Sequence, residues 1–134
     1  MQTYVTRPIL TIASLWTDVP YQPISHEAIL GECNSVNLTW SPPTREALGG
    51  PVTSYLAQIR RSGSENHWIN CTSLTNQQST SCLFPHLKNN MKYEVRVLAK
   101  NKLGYSLPSE ILKVSTKEAG IFCYTDTLLI TTGV

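Results

Sequence analysis

The sequence predicts an all-β fold, a sandwich of seven short antiparallel strands. Three observations carry that prediction. Apolar and polar residues alternate with period two in several short runs, the pattern of a half-buried strand. Turn residues punctuate the chain about every ten positions. No window sustains a period of 3.6, and eight prolines are spread over 134 residues, so helix is incidental at most.

The elements follow in order. The first strand, 25–30, comes after Pro20 and Pro23. The second, 36–40, reads Val36-Asn37-Leu38-Thr39-Trp40 and is stopped by Ser41-Pro42-Pro43. A loop from Thr44 to Pro51 contains Gly49-Gly50-Pro51. The third strand, 53–60, puts Tyr55, Ala57 and Ile59 on one face. After the turn Ser62-Gly63-Ser64 comes a fourth strand, 67–72, ended by Asn76-Gln77-Gln78. The fifth is 79–84. The sixth, 92–100, is the clearest: Tyr93, Val95, Val97 and Ala99 point inward, and Lys92, Glu94 and Arg96 point outward. Leu103-Gly104 turns the chain into the seventh strand, 111–116.

Composition narrows the function. With 41% hydrophobic and 15% charged residues the chain can bury a core, yet it has no apolar run long enough to span a membrane. A net charge of +2 is too small to imply nucleic acid. The four cysteines, Cys33, Cys71, Cys82 and Cys123, contain no C-x-x-C pair, and His26, His67 and His86 are scattered. That argues against zinc and for disulfides in an oxidising compartment, with free thiols in a reduced intracellular protein as the alternative. Two sequons, at Asn37 and Asn70, point the same way. No secretory signal opens the chain, so it reads as a piece of a larger secreted or membrane-anchored protein.

Catalysis has little to work with. No aspartate occurs between residues 20 and 117, which removes the orienting acid of a Ser-His-Asp set from the sandwich. The glutamates are spread over loops and outward strand positions, and no phosphate-cradling glycine motif is present. The expectation is a protein that is not an enzyme and holds neither cofactor nor metal.

A resemblance now becomes specific. The order runs Pro20-x-x-Pro23, Leu38-x-Trp40-x-x-Pro43, Gly50-Pro51-Val52-x-x-Tyr55, Trp68, then Leu87 with Tyr93 six residues later. Val95-x-Val97-x-Ala99-x-Asn101-x-x-Gly104-x-Ser106 and Ser109 complete it. The ordered set resembles a fibronectin type III domain, an immunoglobulin-like sandwich, over about residues 20–117. The resemblance implies that the first, second and fifth strands (A, B and E in the family's lettering) form one sheet. The third, fourth, sixth and seventh (C, C′, F and G) form the other. It makes Leu38, Trp40, Tyr55, Leu87, Tyr93, Val95 and Val97 core residues, with Trp40 central and the Tyr93 hydroxyl bonded back to backbone. It also places Cys82 inward on the fifth strand and Cys71 near the end of the fourth, so a Cys71–Cys82 bridge would clip the sandwich edge. Of the three pairings that four cysteines allow, this one leaves Cys33–Cys123, which needs the tail to fold back.

The chain then divides into a linker or upstream end (1–19), the domain (20–117) and a tail or start of a following domain (118–134). In that tail, Phe122-Cys123-Tyr124-Thr125-Asp126-Thr127-Leu128-Leu129 resembles the start of a YWTD propeller blade, as in receptors of the Ros/sevenless tyrosine-kinase type.

What is left for function is surface. The domain carries ten Lys and Arg against six Glu, half of the cations being Lys88, Lys92, Arg96, Lys100 and Lys102 on or beside the sixth strand. No aromatic interleaving among their outward positions suggests nucleic acid, whereas a glycosaminoglycan is a candidate partner. The resemblance makes the third and sixth strands antiparallel neighbours, and pairing Leu56 with Leu98 then sets Gln58 opposite Arg96 and Arg60 opposite Glu94. Leu56, Arg60, Lys92, Arg96, Leu98 and Lys100 thus form a candidate interaction surface, with Leu56 and Leu98 as exposed leucines. The predicted function is a non-catalytic extracellular module of a receptor or adhesion glycoprotein. It would space neighbouring domains of its parent chain and contact a protein partner. The alternatives are a ligand-binding module of a class I cytokine receptor, or an intracellular structural repeat. Against the first, Gly104-Tyr105-Ser106-Leu107-Pro108-Ser109 stands where W-S-x-W-S would be.

Overall fold

A computed structural model describes residues 18–65, 67–72 and 76–118. Eight strands occur in the order β1 (Ile24–Leu30), β2 (Val36–Ser41), β3 (Ser54–Arg61), β4 (Ile69–Asn70), β5 (Ser81–Phe84), β6 (Lys92–Asn101), β7 (Gly104–Tyr105) and β8 (Leu112–Ser115). A 3₁₀ turn, Glu32–Asn34, joins β1 to β2. β1, β2 and β5 form a three-stranded sheet; β4, β3, β6, β7 and β8 form a five-stranded one, with β7 and β8 both on β6. All pairings are antiparallel.

Three differences from the predicted elements have local causes. β4 is two residues long, not six, because His67 takes a left-handed φ of 63° and breaks the extended run. β5 begins at Ser81, since Asn76 closes a turn first: its Oδ1 accepts from Gln78 N–H at 2.8 Å and its carbonyl from Ser79 N–H at 3.2 Å. β7 is an added strand. Gly104, at φ +148°, folds the chain back so that Tyr105 pairs with Lys100.

The core fills the space between the sheets. Val36, Leu38 and Trp40 from β2 and Cys82 and Phe84 from β5 meet Tyr55, Ala57 and Ile59 from β3. Tyr93, Val95, Val97 and Ala99 of β6 complete it, all buried. Each set occupies alternate positions, so the period-two pattern alone sends one whole face inward. Trp40 is 3% exposed and its ring lies 5.6 Å from that of Tyr55. Burial raises the Tyr55 phenol pKa above its ordinary value. Leu87, expected in the core, is half-buried and packs on its rim, because it sits in the β5–β6 connection and not on a strand. Nearby, the Tyr93 hydroxyl accepts a hydrogen bond from Lys88 N–H at 2.9 Å. Between β7 and β8 two serines hold the chain to β6, their N–H groups donating to the Ala99 and Val97 carbonyls at 2.7 and 2.8 Å. Ser106 Oγ accepts from Ala99 N–H at 2.9 Å, and Ser109 Oγ accepts from Val97 N–H at 3.0 Å.

Two buried asparagines tie the chain ends to opposite poles. At one pole Asn101, fully buried, donates from Nδ2 to the Asp18 carbonyl at 2.8 Å. Its Oδ1 accepts from Leu103 N–H at 2.8 Å. Gly49 lies against the same carbonyl, at a separation that a Cβ would reduce to 2.0 Å, so only glycine fits there. At the other pole Asn34 Nδ2 donates to the Lys117 carbonyl at 3.2 Å, and Lys117 N–H donates to Asn34 Oδ1 at 3.0 Å. β6 runs from the Lys117 end, where Lys92 pairs with Ser115, to the Asp18 end at Asn101. The chain therefore enters the sandwich at one pole and leaves at the other.

Candidate interaction surface

The outer face of the five-stranded sheet is built row by row. β3 and β6 pair Arg60 with Glu94, Gln58 with Arg96, Leu56 with Leu98 and Ser54 with Lys100, the register the sequence predicts. Directly opposed outward side chains of antiparallel strands lie close enough to touch. In the first row Arg60 Nε donates to Glu94 Oε1 at 2.9 Å, with 23% and 13% of the two side chains exposed. In the second, Arg96 Nε donates to Gln58 Oε1 at 2.8 Å, and Gln58 Nε2 donates to Asn70 Oδ1 at 3.0 Å. β8 adds Lys113 opposite Glu94, and β7 adds Tyr105 opposite Lys100.

Aromatic rings do separate the cations, contrary to the sequence reading. The Arg60 and Arg96 guanidinium carbons lie 4.3 and 4.1 Å from the centre of the Trp68 ring. The Lys100 ammonium lies 5.2 Å from that of Tyr105. Neither ring belongs to the sixth strand: Trp68 directly precedes β4 and Tyr105 lies on β7. The signal was present, since Trp68 shares its parity with Asn70, which β4 sets opposite Gln58. Because two guanidiniums already stack on the indole, it is not a free platform for bases. Burial, and secondarily the Arg60 charge, lower the Arg96 pKa from its ordinary value.

A second correction concerns Leu56 and Leu98. Both are half-buried, not exposed, being flanked along their strands by the long side chains of Gln58, Arg96 and Lys100. Lys92 and Lys100 are exposed.

The remaining predicted positions lie elsewhere. Cys71 and Cys82 are joined by a disulfide with their Cα atoms 6.6 Å apart, linking the chain just after β4 to β5 across the sandwich edge. A groove of about 580 Å³ opens on that edge, lined in part by Ile59, Ile69, Leu83 and Phe84. Cys33 is half-buried at a left-handed φ of 57° in the β1–β2 connection. Cys123, the other end of the second expected bridge, lies outside the described residues, as do 1–17 and the blade-like segment after 118. Asn37 is half-buried on the outer side of β2; Asn70 is exposed on β4. His67 and His86 are exposed turn residues with left-handed φ. Among the described residues no cluster of three or more His, Cys, Asp and Glu could hold a metal ion.

Comparison with known proteins agrees with this architecture. The family model of the fibronectin type III domain matches residues 30–115. The chain is 32% identical over 85 residues to a protein sidekick homolog of Caenorhabditis elegans, covering 63% of this chain and 4% of that protein. It is 32% identical over 114 residues to human fast-type myosin-binding protein C, 78% of this chain and 9% of that one. To rat neuronal cell adhesion molecule it is 31% identical over 107 residues, 79% and 8% respectively. The chain thus spans less than a tenth of each of these relatives. Among solved structures, titin kinase with its flanking domains superimposes with a TM-score of 0.59 at 29% identity, over 75% of this chain and 18% of that one. The type III domain of human fibronectin type III domain containing protein 3 gives 0.54 at 23% identity, over 74% and 87%, a likeness of fold. On the strand order, the buried Trp40 and Tyr93, and the extent of the family match, the chain belongs to the fibronectin type III family.

Proposed function

We propose that this chain is a non-catalytic spacer and contact module of an extracellular adhesion or receptor protein. The observation that carries the spacer role is the pair of asparagine anchors. Asn101 holds the incoming backbone at Asp18 and Asn34 holds the outgoing backbone at Lys117, at opposite poles. A module threaded pole to pole sets its neighbours in line and transmits tension through strands paired side by side. The contact role rests on the outer face of the five-stranded sheet, where charged, aromatic and apolar groups are held in fixed rows. Relatives include both a cell adhesion molecule and a myosin-binding protein. What favours the oxidising, extracellular setting for this chain is the Cys71–Cys82 bridge, together with sequons whose asparagines reach solvent at least in part.

The test is to fuse the chain between two compact reporter domains and express the fusion through a secretory pathway. Small-angle scattering should give a dumbbell with separated reporters, and mass spectrometry should find the Cys71–Cys82 bridge and a glycan at Asn70 or Asn37. Reporters packed side by side would end the spacer reading. Bare asparagines with reduced thiols would end the extracellular one.

A further inference from the structure

The outer sheet face holds five cations, Arg60, Lys92, Arg96, Lys100 and Lys113, against one carboxylate, Glu94. Glu94 is spent on Arg60, and among the described residues no carboxylate lies within 4.0 Å of Arg96. The guanidinium of Arg96 is held in place by Gln58 and by the indole of Trp68, so its orientation is fixed before any partner arrives. Along β6 the next outward residues are Leu98 and then Lys100. Successive outward positions on a strand are about 6.7 Å apart. The face therefore presents cation, apolar, cation at the spacing with which an extended peptide displays every second side chain.

We propose that this face docks an extended segment of a partner protein of the pattern acidic-x-apolar-x-acidic. Its two carboxylates meet Arg96 and Lys100, and its apolar residue covers Leu56 and Leu98. The pattern is symmetric, so it holds for either direction of the peptide. Charge complementarity selects an anionic partner, and the leucine pair at the centre, which offers a sulfated glycan nothing, selects a protein over it. This inference rests on the contact role proposed above and adds the partner's chemistry to it.

The probes are two synthetic peptides of one composition, Ser-Glu-Ser-Leu-Ser-Glu-Ser and the out-of-register Ser-Glu-Leu-Ser-Ser-Glu-Ser, with a heparin oligosaccharide alongside. Each is titrated into the oxidised, unglycosylated full chain and followed by amide chemical shifts at low salt and in about 0.5 M salt. The in-register peptide should shift the β3 and β6 amides and bind several-fold tighter than the other. Arg96→Gln should weaken it by about tenfold, the loss of one charge-assisted contact. Lys100→Gln should also weaken it; Lys100 is exposed, so this variant keeps its fold even if Arg96→Gln does not. Lys102→Gln, which removes the same charge from the β6–β7 turn, should change nothing. Equal binding of the two peptides, or equal effects of Lys102→Gln and Lys100→Gln, would reduce the face to bulk charge and overturn the proposal. Binding of heparin without the peptide would replace the partner class. No binding by any probe would refute the inference while leaving the dumbbell geometry and the glycan and disulfide readouts of the spacer reading standing.

Discussion

β6 shows two faces built to different rules. Its inward residues, Tyr93, Val95, Val97 and Ala99, are all buried and belong to the core between the sheets. Outward, Glu94, Arg96 and Leu98 are half-buried while Lys92 and Lys100 are exposed, and their cross-strand partners lie in the same sheet. The inner face must fill a fixed volume without polar atoms, so its sequence is constrained by the fold itself. On the outer face, ion pairs, amide contacts and ring stacking hold side chains in rows but contribute little to folding. That freedom is what lets the outer face specialise for a partner. Substitutions should separate the two faces by size of effect.

The largest effect belongs to Trp40. It is the bulkiest side chain between the sheets and is 3% exposed. Trp40→Ala removes its transfer free energy and leaves a cavity, which together cost about 3–5 kcal/mol. Urea denaturation should show that loss, while Leu98→Ala on the outer face costs clearly less because Leu98 is only half-buried. Equal costs would erase the distinction between the faces.

Next comes the bridge that closes the edge between the two sheets. Cys71 and Cys82 are 11 residues apart, and by the chain-entropy estimate closing a loop of that size is worth roughly 3 kcal/mol. The double variant Cys71→Ala/Cys82→Ala should lose about that much in a denaturant titration. An unchanged midpoint would mean that the edge holds without a covalent link. The Tyr93 hydroxyl follows. Tyr93→Phe keeps the packing but strips Lys88 N–H of its acceptor, at a cost of about 1–3 kcal/mol. A neutral substitution would show that solvent satisfies the amide equally well.

The inner face was the more legible in sequence. Alternation fixes which residues of β2, β3 and β6 point inward, because one apolar residue in two admits a single sheet face. The β3–β6 register followed from the same pairing and brought Arg60 to Glu94 and Gln58 to Arg96 as expected. What escaped was local or non-sequential. The length of β4 depends on a left-handed His67, which no periodicity reports. β7 depends on how far Gly104 folds the chain back. The stack of Arg60, Trp68 and Arg96 joins β3, β6 and the residue just before β4, positions far apart in the chain, and only the shared parity of Trp68 and Asn70 signals it. The asparagine anchors were missed for a similar reason. Asn34 meets Lys117 from 83 residues away, and Asn101 meets Asp18 at the same separation.

The smallest effect sharpens the comparison from the outer side. The Arg60–Glu94 pair has side chains 23% and 13% exposed, so its coupling should lie in the upper part of the range for surface pairs, about 0.2–1 kcal/mol. A double-mutant cycle with Arg60→Gln and Glu94→Gln measures it directly. The two single variants should differ. Removing Arg60 leaves Glu94 with Lys113 opposite and Arg96 two positions along the strand, and it relieves the repulsion between two guanidiniums on one indole. Removing Glu94 leaves Arg60 without its carboxylate while both guanidiniums stay on Trp68. Glu94→Gln should therefore cost more than Arg60→Gln, and the difference should shrink in about 1 M salt, where screening acts over roughly 3 Å. If Arg60→Gln proves the costlier change, the guanidinium holds the face through its stacking on Trp68 and Glu94 is incidental. The rows of the outer face would then be set by the ring and not by charge.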